Sequence, residues 1–296
     1  MRNSSVLIIG GDSLIGKQLE IVLNALDIKT WRTSRRQSDE KIGTYFLDLE
    51  DVAIEATKLP IASTIILCGG VSGYASCSKD PAMAAQINVV NTLKVASKFL
   101  QHKCHIIFLS SVAAIGGRIA SMDGEIFFPQ TLYGALKRST ELGLESEAEK
   151  YNATLSIVRL TKVVSWNTPF INSWLSDSLM GSPIKAFSNR FLSPITIEYV
   201  CDALVKLIST QSNGIFHLSG EKAITYLELA EIMKSLHLLG NSFIQTVVDD
   251  SNDRRSGFLD SALLSMTEVT TSLDIEPEPL DNVLHHLKMT MMNYNK

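Results

Sequence analysis

The sequence lacks the features that would place it in several large protein classes. It contains no apolar stretch near the ~20 residues that span a bilayer. Its four cysteines (Cys68, Cys77, Cys104 and Cys201) have no CxxC spacing, and no His/Cys cluster has the spacing of a metal site. The formal net charge is -4, which argues against a nucleic-acid-binding protein that neutralises phosphates. These absences predict a protein of the cytoplasm with free thiols, no metal and no membrane or nucleic-acid partner.

Short apolar runs alternate with longer segments of helical period over the first 165 residues. The first run, 6–9, is too short for the apolar part of a signal peptide and indicates a buried strand. Strands that are apolar throughout and separated by helices are typical of a parallel sheet covered on both faces. The pattern therefore predicts an α/β, doubly wound (Rossmann) sheet. The predicted strands are 6–9, 29–33, 44–47, 64–68, 105–109 and 154–159, with helices near 14–26, 81–100 and 132–150.

The alternation breaks after about residue 165. Residues 166–190 show no regular period, whereas a helix near 197–209 and a strand at 214–218 restore it. We expect a Rossmann domain of residues 1–165, to which 191–220 return. Residues 166–190 and 221–296 would form a smaller, mostly helical substrate lobe.

A glycine-containing turn, residues 10–16, joins the first strand to the first helix. Such a turn lets backbone N–H groups meet a pyrophosphate at the helix N-terminus. Gly10 can adopt a positive φ, Gly16 lets the helix pack close to the strand, and Ser13 stands where a third glycine is usual. The alternative is a plain strand-to-helix turn capped by Asp12 or Ser13.

Two arginines follow the second predicted strand. An NAD site usually has an acidic residue there for the ribose 2′-OH, whereas this sequence has Arg35 and Arg36. Guanidinium groups bind a 2′-phosphate well, so the sequence favours NADP over NAD. The alternative is a solvated basic loop.

Tyr133 and Lys137 are four residues apart in a predicted helix, so their side chains share one face. A phenol has a pKa of about 10, and a nearby ammonium should lower it, which suits proton transfer to or from a carbonyl oxygen. Ser110 and Ser111 follow the predicted strand 105–109, at the edge where doubly wound sheets bind ligands. Chance pairing and turn chemistry are the alternatives for these residues.

These segments, in this order, resemble the extended short-chain dehydrogenase/reductase family, which includes NAD-dependent epimerases and dehydratases. The segments 214–220 and 226–230 look like its dTDP-4-dehydrorhamnose reductase branch. The resemblance implies Ser111, Tyr133 and Lys137 as catalytic residues. It implies cofactor contacts from the first turn (Gly10, Asp12, Ser13, Leu14, Ile15, Gly16), from Asp48, Leu49, Cys68, Gly69 and Gly70, and from Leu160 and Val163 near the nicotinamide.

The resemblance also implies reduction, with NADPH, of a keto group on a nucleotide sugar. Arg190 and Arg255 would bind the substrate diphosphate, and Trp174 and Phe187 would line the nucleotide pocket. Salt bridging is the alternative for the two arginines, and a core role is the alternative for the two aromatic residues.

Two other functions remain open at this point. The first is an epimerase or dehydratase with tightly bound NAD, although Val112 and Ala113 replace the acidic residue that a dehydratase would have after its serine. The second is an NADP-binding regulatory protein without turnover, since a fold does not fix a function. The resemblance further implies a homodimer formed through the helices near 81–100 and 132–150.

Overall fold

The computed structural model of the protein describes residues 4–51, 58–116, 129–249 and 263–294. The strands are β1 (Ser5–Ile9), β2 (Lys29–Ser34), β3 (Thr44–Phe46), β4 (Thr64–Leu67), β5 (His105–Ser111), β6 (Leu155–Leu160), β7 (Lys162–Val163), β8 (Ile184–Phe187), β9 (Phe191–Leu192), β10 (Pro194–Ile195), β11 (Gly214–Leu218), β12 (Ile224–Thr225) and β13 (Ile244–Val247). The helices are α1 (Leu14–Ala25), α2 (Tyr74–Lys79), α3 (Pro81–Ala85), α4 (Thr92–Gln101), α5 (Leu132–Tyr151), α6 (Pro169–Leu179), α7 (Ile197–Thr210), α8 (Tyr226–Ser235), α9 (Thr267–Leu273) and α10 (Leu280–Tyr294).

A seven-stranded parallel sheet forms the centre of the fold, in the order β11-β6-β5-β4-β1-β2-β3. Val6 of β1 pairs with Thr30 of β2 on one side and with Thr64 of β4 on the other. The prediction of a doubly wound parallel sheet is therefore confirmed. The strand order reverses between β1 and β4, and the crevice beyond their carboxyl ends is where such sheets bind ligands.

Helices cover both faces of the sheet because both faces are apolar. Leu19 of α1, Leu204 of α7 and Val269 of α9 lie in the core on one face. Phe99 of α4 and Leu144 of α5 lie in the core on the other. The sequence pattern assigned α9 to the lobe, whereas α9 packs on β11 and α7. Helices α4 and α5 also pack on each other, while the homodimer stays a prediction.

The lobe is more regular than the sequence predicted. Residues 166–190, expected to be irregular, contain α6 and β8. Pro169 occupies the first turn of α6, where proline favours the start of a helix rather than breaking it. Strand β8 pairs in parallel with β13, beginning with Ile184 opposite Ile244, and a partner 60 residues away leaves no local signal. Trp174, Leu229 and Val283 lie in the core of this lobe.

The long helix predicted at 81–100 is divided into α3, a π-helical segment (Gln86–Asn91) and α4. A π segment shifts the direction of side chains within a helix and often marks a functional site. The short helix α2, which precedes it, was not predicted. Within the described ranges, no helix is long and apolar enough to cross a bilayer.

His105 is buried in β5, and its ring lies 2.7 Å (Nε2 to Oγ) from Ser156 of β6. Burial lowers the pKa of His105 to about 4. The unfolded chain therefore binds a proton that the folded chain does not between about pH 6.5 and 4. Stability from the neutral imidazole is present above that window and is lost as the pH falls through it.

We therefore expect the free energy of unfolding of the wild type to fall more steeply than that of His105→Gln between about pH 6 and 4.5. The difference should approach about 1.4 kcal/mol per pH unit, the effect of one proton. Urea denaturation at several pH values measures it, and His102→Gln, at an exposed position, is the control. Parallel pH profiles for the wild type and His105→Gln would contradict this account.

Candidate active site

Two glycines, Gly10 and Gly69, are in contact where the loops after β1 and β4 meet at the crevice. Gly10 has φ +87°, and a Cβ placed on it would lie 2.4 Å from Gly69 Cα. A Cβ on Gly16 would lie 2.7 Å from the carbonyl oxygen of Gly10. The turn at the N-terminus of α1 lies so close to the loop after β4 that neither Gly10 nor Gly16 could carry a side chain.

Ser13 caps helix α1. Its Oγ accepts a hydrogen bond from Gly16 N at 3.0 Å, and its φ of -66° requires no glycine. Asp12 is not the cap: its carboxylate accepts hydrogen bonds from Arg32 Nη1 at 3.1 Å and Ser34 Oγ at 2.7 Å. Ser13 is therefore compatible with the turn, and the N–H groups of the first turn remain suited to a phosphate.

The two arginines after β2 have different surroundings. Arg36 forms ion pairs with Asp39 at 2.8 Å and with Asp12 at 3.5 Å. Arg35 is exposed and lines a cavity next to the turn, and no partner for it is found in the described part of the chain. Arg35 is therefore better placed than Arg36 for an anionic ligand.

Two asparagines of the π-helical segment hold the loops that border the crevice. Asn88 accepts a hydrogen bond from Val71 N at 2.8 Å and donates one to Val71 O at 2.9 Å. Asn91 donates to the carbonyl oxygen of Leu49 at 2.7 Å. The loop after β3, which includes Asp48, and the loop after β4 are therefore anchored to the same helical segment.

The predicted catalytic residues meet where β5 ends and α5 begins. Ser110 and Ser111 are the last residues of β5 rather than the residues after it. Ser111 and Tyr133 line the same cavity. Lys137 Nζ donates to the carbonyl oxygen of Leu109 at 2.8 Å and lies 6.0 Å from the Tyr133 ring centroid. Helix α5 approaches the turn after β5 closely at Gly134, where a Cβ would lie 2.2 Å from the carbonyl oxygen of Ala113.

Burial is the largest cause of the pKa shifts of Tyr133 and Lys137. It raises the pKa of Tyr133 well above the usual phenol value, and the neighbouring Tyr74 and Cys77 raise it further. Burial also lowers the pKa of Lys137 to about 8. The sequence analysis expected Lys137 to lower the pKa of Tyr133, whereas burial of the phenol raises it. Tyr133 is protonated at neutral pH.

A buried carboxylate connects the elements that carry these residues. Glu141 of α5 is fully buried and accepts hydrogen bonds from Ser110 Oγ at 2.5 Å, Arg159 Nη2 at 2.7 Å and Arg138 Nη1 at 2.9 Å. Burial opposes its ionisation, but the Arg159 guanidinium and these hydrogen bonds keep the pKa of Glu141 below its usual value. Strand β5, strand β6 and helix α5 are thus linked through one charged group.

Three adjoining cavities lead from the first turn to the lobe: a loop cavity of about 440 Å³, a junction cavity of about 250 Å³ and a lobe cavity of about 670 Å³. Ser13, Cys68 and Gly69 line both the loop and the junction cavity. Tyr133 and Val163 line both the junction and the lobe cavity. Tyr133 therefore stands between a space beside the glycine turn and a space beside the lobe.

Most residues predicted to bind the cofactor line the first two cavities. Gly16 is buried inside the turn, and it lines neither, nor does Arg36. The residues that line one or both are Gly10, Asp12, Ser13, Leu14, Ile15, Arg35, Asp48, Leu49, Cys68, Gly69, Gly70, Tyr133, Lys137, Leu160 and Val163. A long ligand with phosphates near α1 fits this distribution.

The lobe cavity contains some of the predicted substrate residues but not all of them. Ser111, Trp174 and Phe187 line it. Arg190 is bound to Asp249, with Nη2 2.6 Å from the carboxylate, and is not among the lining residues. The predicted contact Arg255 lies outside the described residues.

The sequence analysis missed several residues of this cavity. Tyr74 and Lys162 follow the carboxyl ends of β4 and β6, so their positions after predicted strands were the available signal. Phe170 and Tyr226 come from the lobe, with ring centroids 5.0 Å apart, and no local pattern marks them. Lys162 Nζ lies 5.7 Å from the centroid of Phe170.

The structure brings together the glycine turn at the switch point and Ser111, Tyr133 and Lys137 near the end of β5, the features on which the family resemblance was based. The model of the NAD-dependent epimerase/dehydratase family matches residues 6–190, more than half of the chain, and the protein belongs to this family. It is an NAD(P)-dependent enzyme, as the resemblance implied. No curated protein sequence matches the chain.

Solved structures share the fold over nearly the whole chain. A UDP-glucose 4-epimerase from Thermotoga maritima has a TM-score of 0.84 at 18% identity and covers 99% of this chain and 100% of its own. A dTDP-4-dehydrorhamnose reductase from Bacillus anthracis, in complex with NADP, has a TM-score of 0.83 at 16% identity and covers 97% and 99%. A UDP-glucose 4-epimerase from Thermus thermophilus, in complex with NAD, has a TM-score of 0.77 at 16% identity and covers 96% and 99%. At these identities the likeness shows the fold alone.

We expect Glu141→Gln to lower the free energy of unfolding by about 3–5 kcal/mol, because it leaves the Arg159 guanidinium buried without its counter-charge. The matched control is Glu147→Gln on the same helix, where an exposed ion pair with Lys150 should contribute less than about 1 kcal/mol. Urea denaturation of both variants measures the difference. If Glu141→Gln and Glu147→Gln lower the free energy of unfolding by the same small amount, the buried network is not stabilising.

Proposed function

We propose that the protein is an NADPH-dependent reductase of a keto group on a nucleotide-activated sugar. The observation that carries this proposal is the position of Tyr133, which lines both the junction cavity and the lobe cavity. The structural neighbours include UDP-glucose 4-epimerases and dTDP-4-dehydrorhamnose reductases, so nucleotide sugars are the substrate class that the fold suggests.

The residues around Tyr133 are suited to reduction. The high pKa of Tyr133 keeps its phenol protonated, so the O–H can donate a proton to the carbonyl oxygen. The Ser111 hydroxyl, which lines the same cavity as Tyr133, would polarise the same oxygen. Lys137, held by the carbonyl of Leu109, would stabilise the phenolate that remains. When bound, the reduced nicotinamide supplies the hydride to the carbonyl carbon.

The residues present fit a dinucleotide. Gly10 and the first turn of α1 would hold its pyrophosphate, Asp48 and Leu49 border the space for its adenosine, and Arg35 would bind a 2′-phosphate. Arg35 therefore supports NADP. An NAD-dependent epimerase is the alternative, supported by the epimerase neighbours, and it would interconvert UDP-sugars without consuming a reduced cofactor.

Tyr133→Phe should reduce NADPH oxidation with dTDP-4-dehydrorhamnose by at least about 100-fold, because the proton donor is removed. The dissociation constant for NADPH should change less than about twofold. Stopped-flow absorbance and fluorescence titration measure the two quantities. Tyr151→Phe, at the far end of α5, is the control and should keep wild-type turnover. If Tyr133→Phe retains full turnover, the catalytic assignment is wrong. UDP-glucose epimerisation without NADPH oxidation by the wild type would favour the epimerase.

Arg35→Gln should weaken NADPH binding by about 10- to 100-fold and leave NADH binding unchanged, because only NADPH carries the 2′-phosphate. Arg36→Gln is the matched control: its guanidinium is already paired with Asp39, so it should affect NADPH much less. Fluorescence titration of both cofactors against the three proteins gives the comparison. Tighter binding of NADH than NADPH by the wild type would reject the NADP assignment.

A further inference from the structure

Tyr74 is a second phenol beside Tyr133. The two ring centroids are 5.6 Å apart, and the rings meet edge to face at 78°. Both residues line the lobe cavity together with Ser111. Tyr74 therefore lies close enough to Tyr133 to contact the same substrate group.

The position of Tyr74 is fixed by the fold. It is the first residue of α2, and Gly73 before it has φ +92°, a turn that favours glycine. Two residues further back, Val71 is held through both backbone groups by Asn88. At the other side of the turn, Cys77 is buried and its Sγ lies 3.6 Å from Val71 O. A side chain anchored in this way can orient a ligand rather than follow it.

The Tyr74 hydroxyl has no hydrogen-bond partner in the described parts of the chain. Burial alone raises the pKa of Tyr74 to about 12, so the phenol stays neutral and can donate. Tyr74 is half-buried and lines the lobe cavity, so its hydroxyl can donate a hydrogen bond to a ligand that enters this cavity. The structural roles of Tyr74 are met by its ring, and its hydroxyl remains to be explained.

A second residue of the cavity lining carries an unpartnered polar atom, and this atom is itself buried. Thr161 is 7% exposed, lines the lobe cavity, and its Oγ1 has no hydrogen-bond partner among the described residues. Aromatic rings form much of the remaining wall, including Phe170 and Tyr226. The lining combines aromatic rings with polar side chains, among them Ser111 and Lys162, as in sites that orient a polar ligand.

We propose that Tyr74 determines substrate specificity by hydrogen-bonding the hydroxyl on the carbon next to the keto group. This inference rests on the proposed function. In a 4-keto sugar that hydroxyl is on C3, since C5 carries the exocyclic carbon and the ring oxygen. Tyr133 would donate a proton to the oxygen on C4, and Tyr74 would hydrogen-bond the oxygen on C3. The 5.6 Å between the two ring centroids places both phenols beside the same part of the sugar.

The test compares the wild type and Tyr74→Phe on two substrates, one with and one without the C3 hydroxyl. Tyr74→Phe keeps the ring against Tyr133 and deletes only the O–H. With NADPH, it should lower kcat/KM for dTDP-4-dehydrorhamnose about tenfold. For the 3-deoxy analogue of that substrate, kcat/KM should stay within about twofold of the wild type. Equal losses on both substrates, or no loss on either, would overturn the inference.

The matched control is Tyr226→Phe, which removes another phenol from the same cavity wall. It should change kcat/KM for the two substrates by the same factor. If it reproduces the discrimination of Tyr74→Phe, the assignment to Tyr74 is wrong. Thermal melts of both variants exclude unfolding as the cause.

A binding measurement distinguishes failure of this inference from failure of the proposed function. Calorimetric titration of dTDP-rhamnose and its 3-deoxy analogue into the NADP⁺-loaded proteins should show the same tenfold selectivity, lost in Tyr74→Phe. Selective binding without any turnover would support Tyr74 and reject the reductase. Turnover by a wild type that does not distinguish the two sugars would reject Tyr74 and retain the reductase. A wild type that binds neither sugar would reject both.

Discussion

The buried carboxylate of Glu141 is the interaction on which the geometry of the site depends. It joins β5 through Ser110 and β6 through Arg159, while it belongs itself to α5. Ser111 follows Ser110 directly, and Lys137 lies one helical turn before Glu141. A rotation of α5 or a slip of β5 would therefore break charged hydrogen bonds in a dry environment, where they are costly to lose. Glycine at 134 completes the arrangement: a Cβ there would lie 2.2 Å from Ala113 O, so α5 begins in contact with the turn after β5.

Burial also determines the protonation state of the two phenols, Tyr133 and Tyr74. Burial raises the pKa values of Tyr133 and Tyr74 and lowers that of Lys137 to about 8. Neutral phenols are proton donors, so Tyr133 in this state can donate a proton to an oxygen. Charge can accumulate on Tyr133 only as its proton leaves, and Lys137, with its Nζ 6.0 Å from the ring centroid, is a cation able to compensate it. The proposed direction, reduction of a ketone, agrees with this order of events.

Local patterns in the sequence predicted the sheet and the pair on α5, because strand apolarity and four-residue spacing are properties of short segments. The prediction failed where the deciding partner is distant. Arg36 was grouped with Arg35, but Asp39 and Asp12 occupy its guanidinium. Arg190 was assigned to the substrate, but it binds Asp249, 59 residues away. The pairing of β8 with β13 and the desolvation of Tyr133 likewise exist only in the folded chain.

The π-helical segment Gln86–Asn91 explains how a loop after β4 can carry a specificity residue. Such a segment is less favourable than a regular α-helix and persists where side-chain contacts require it. Here Asn88 holds Val71 and Asn91 holds Leu49, so one irregularity anchors both loops that border the crevice. If the helix were regular, the two asparagines would point in other directions, and the turn before Tyr74 would lose both of its backbone hydrogen bonds to Asn88. The irregular helix therefore helps to fix the position of Tyr74.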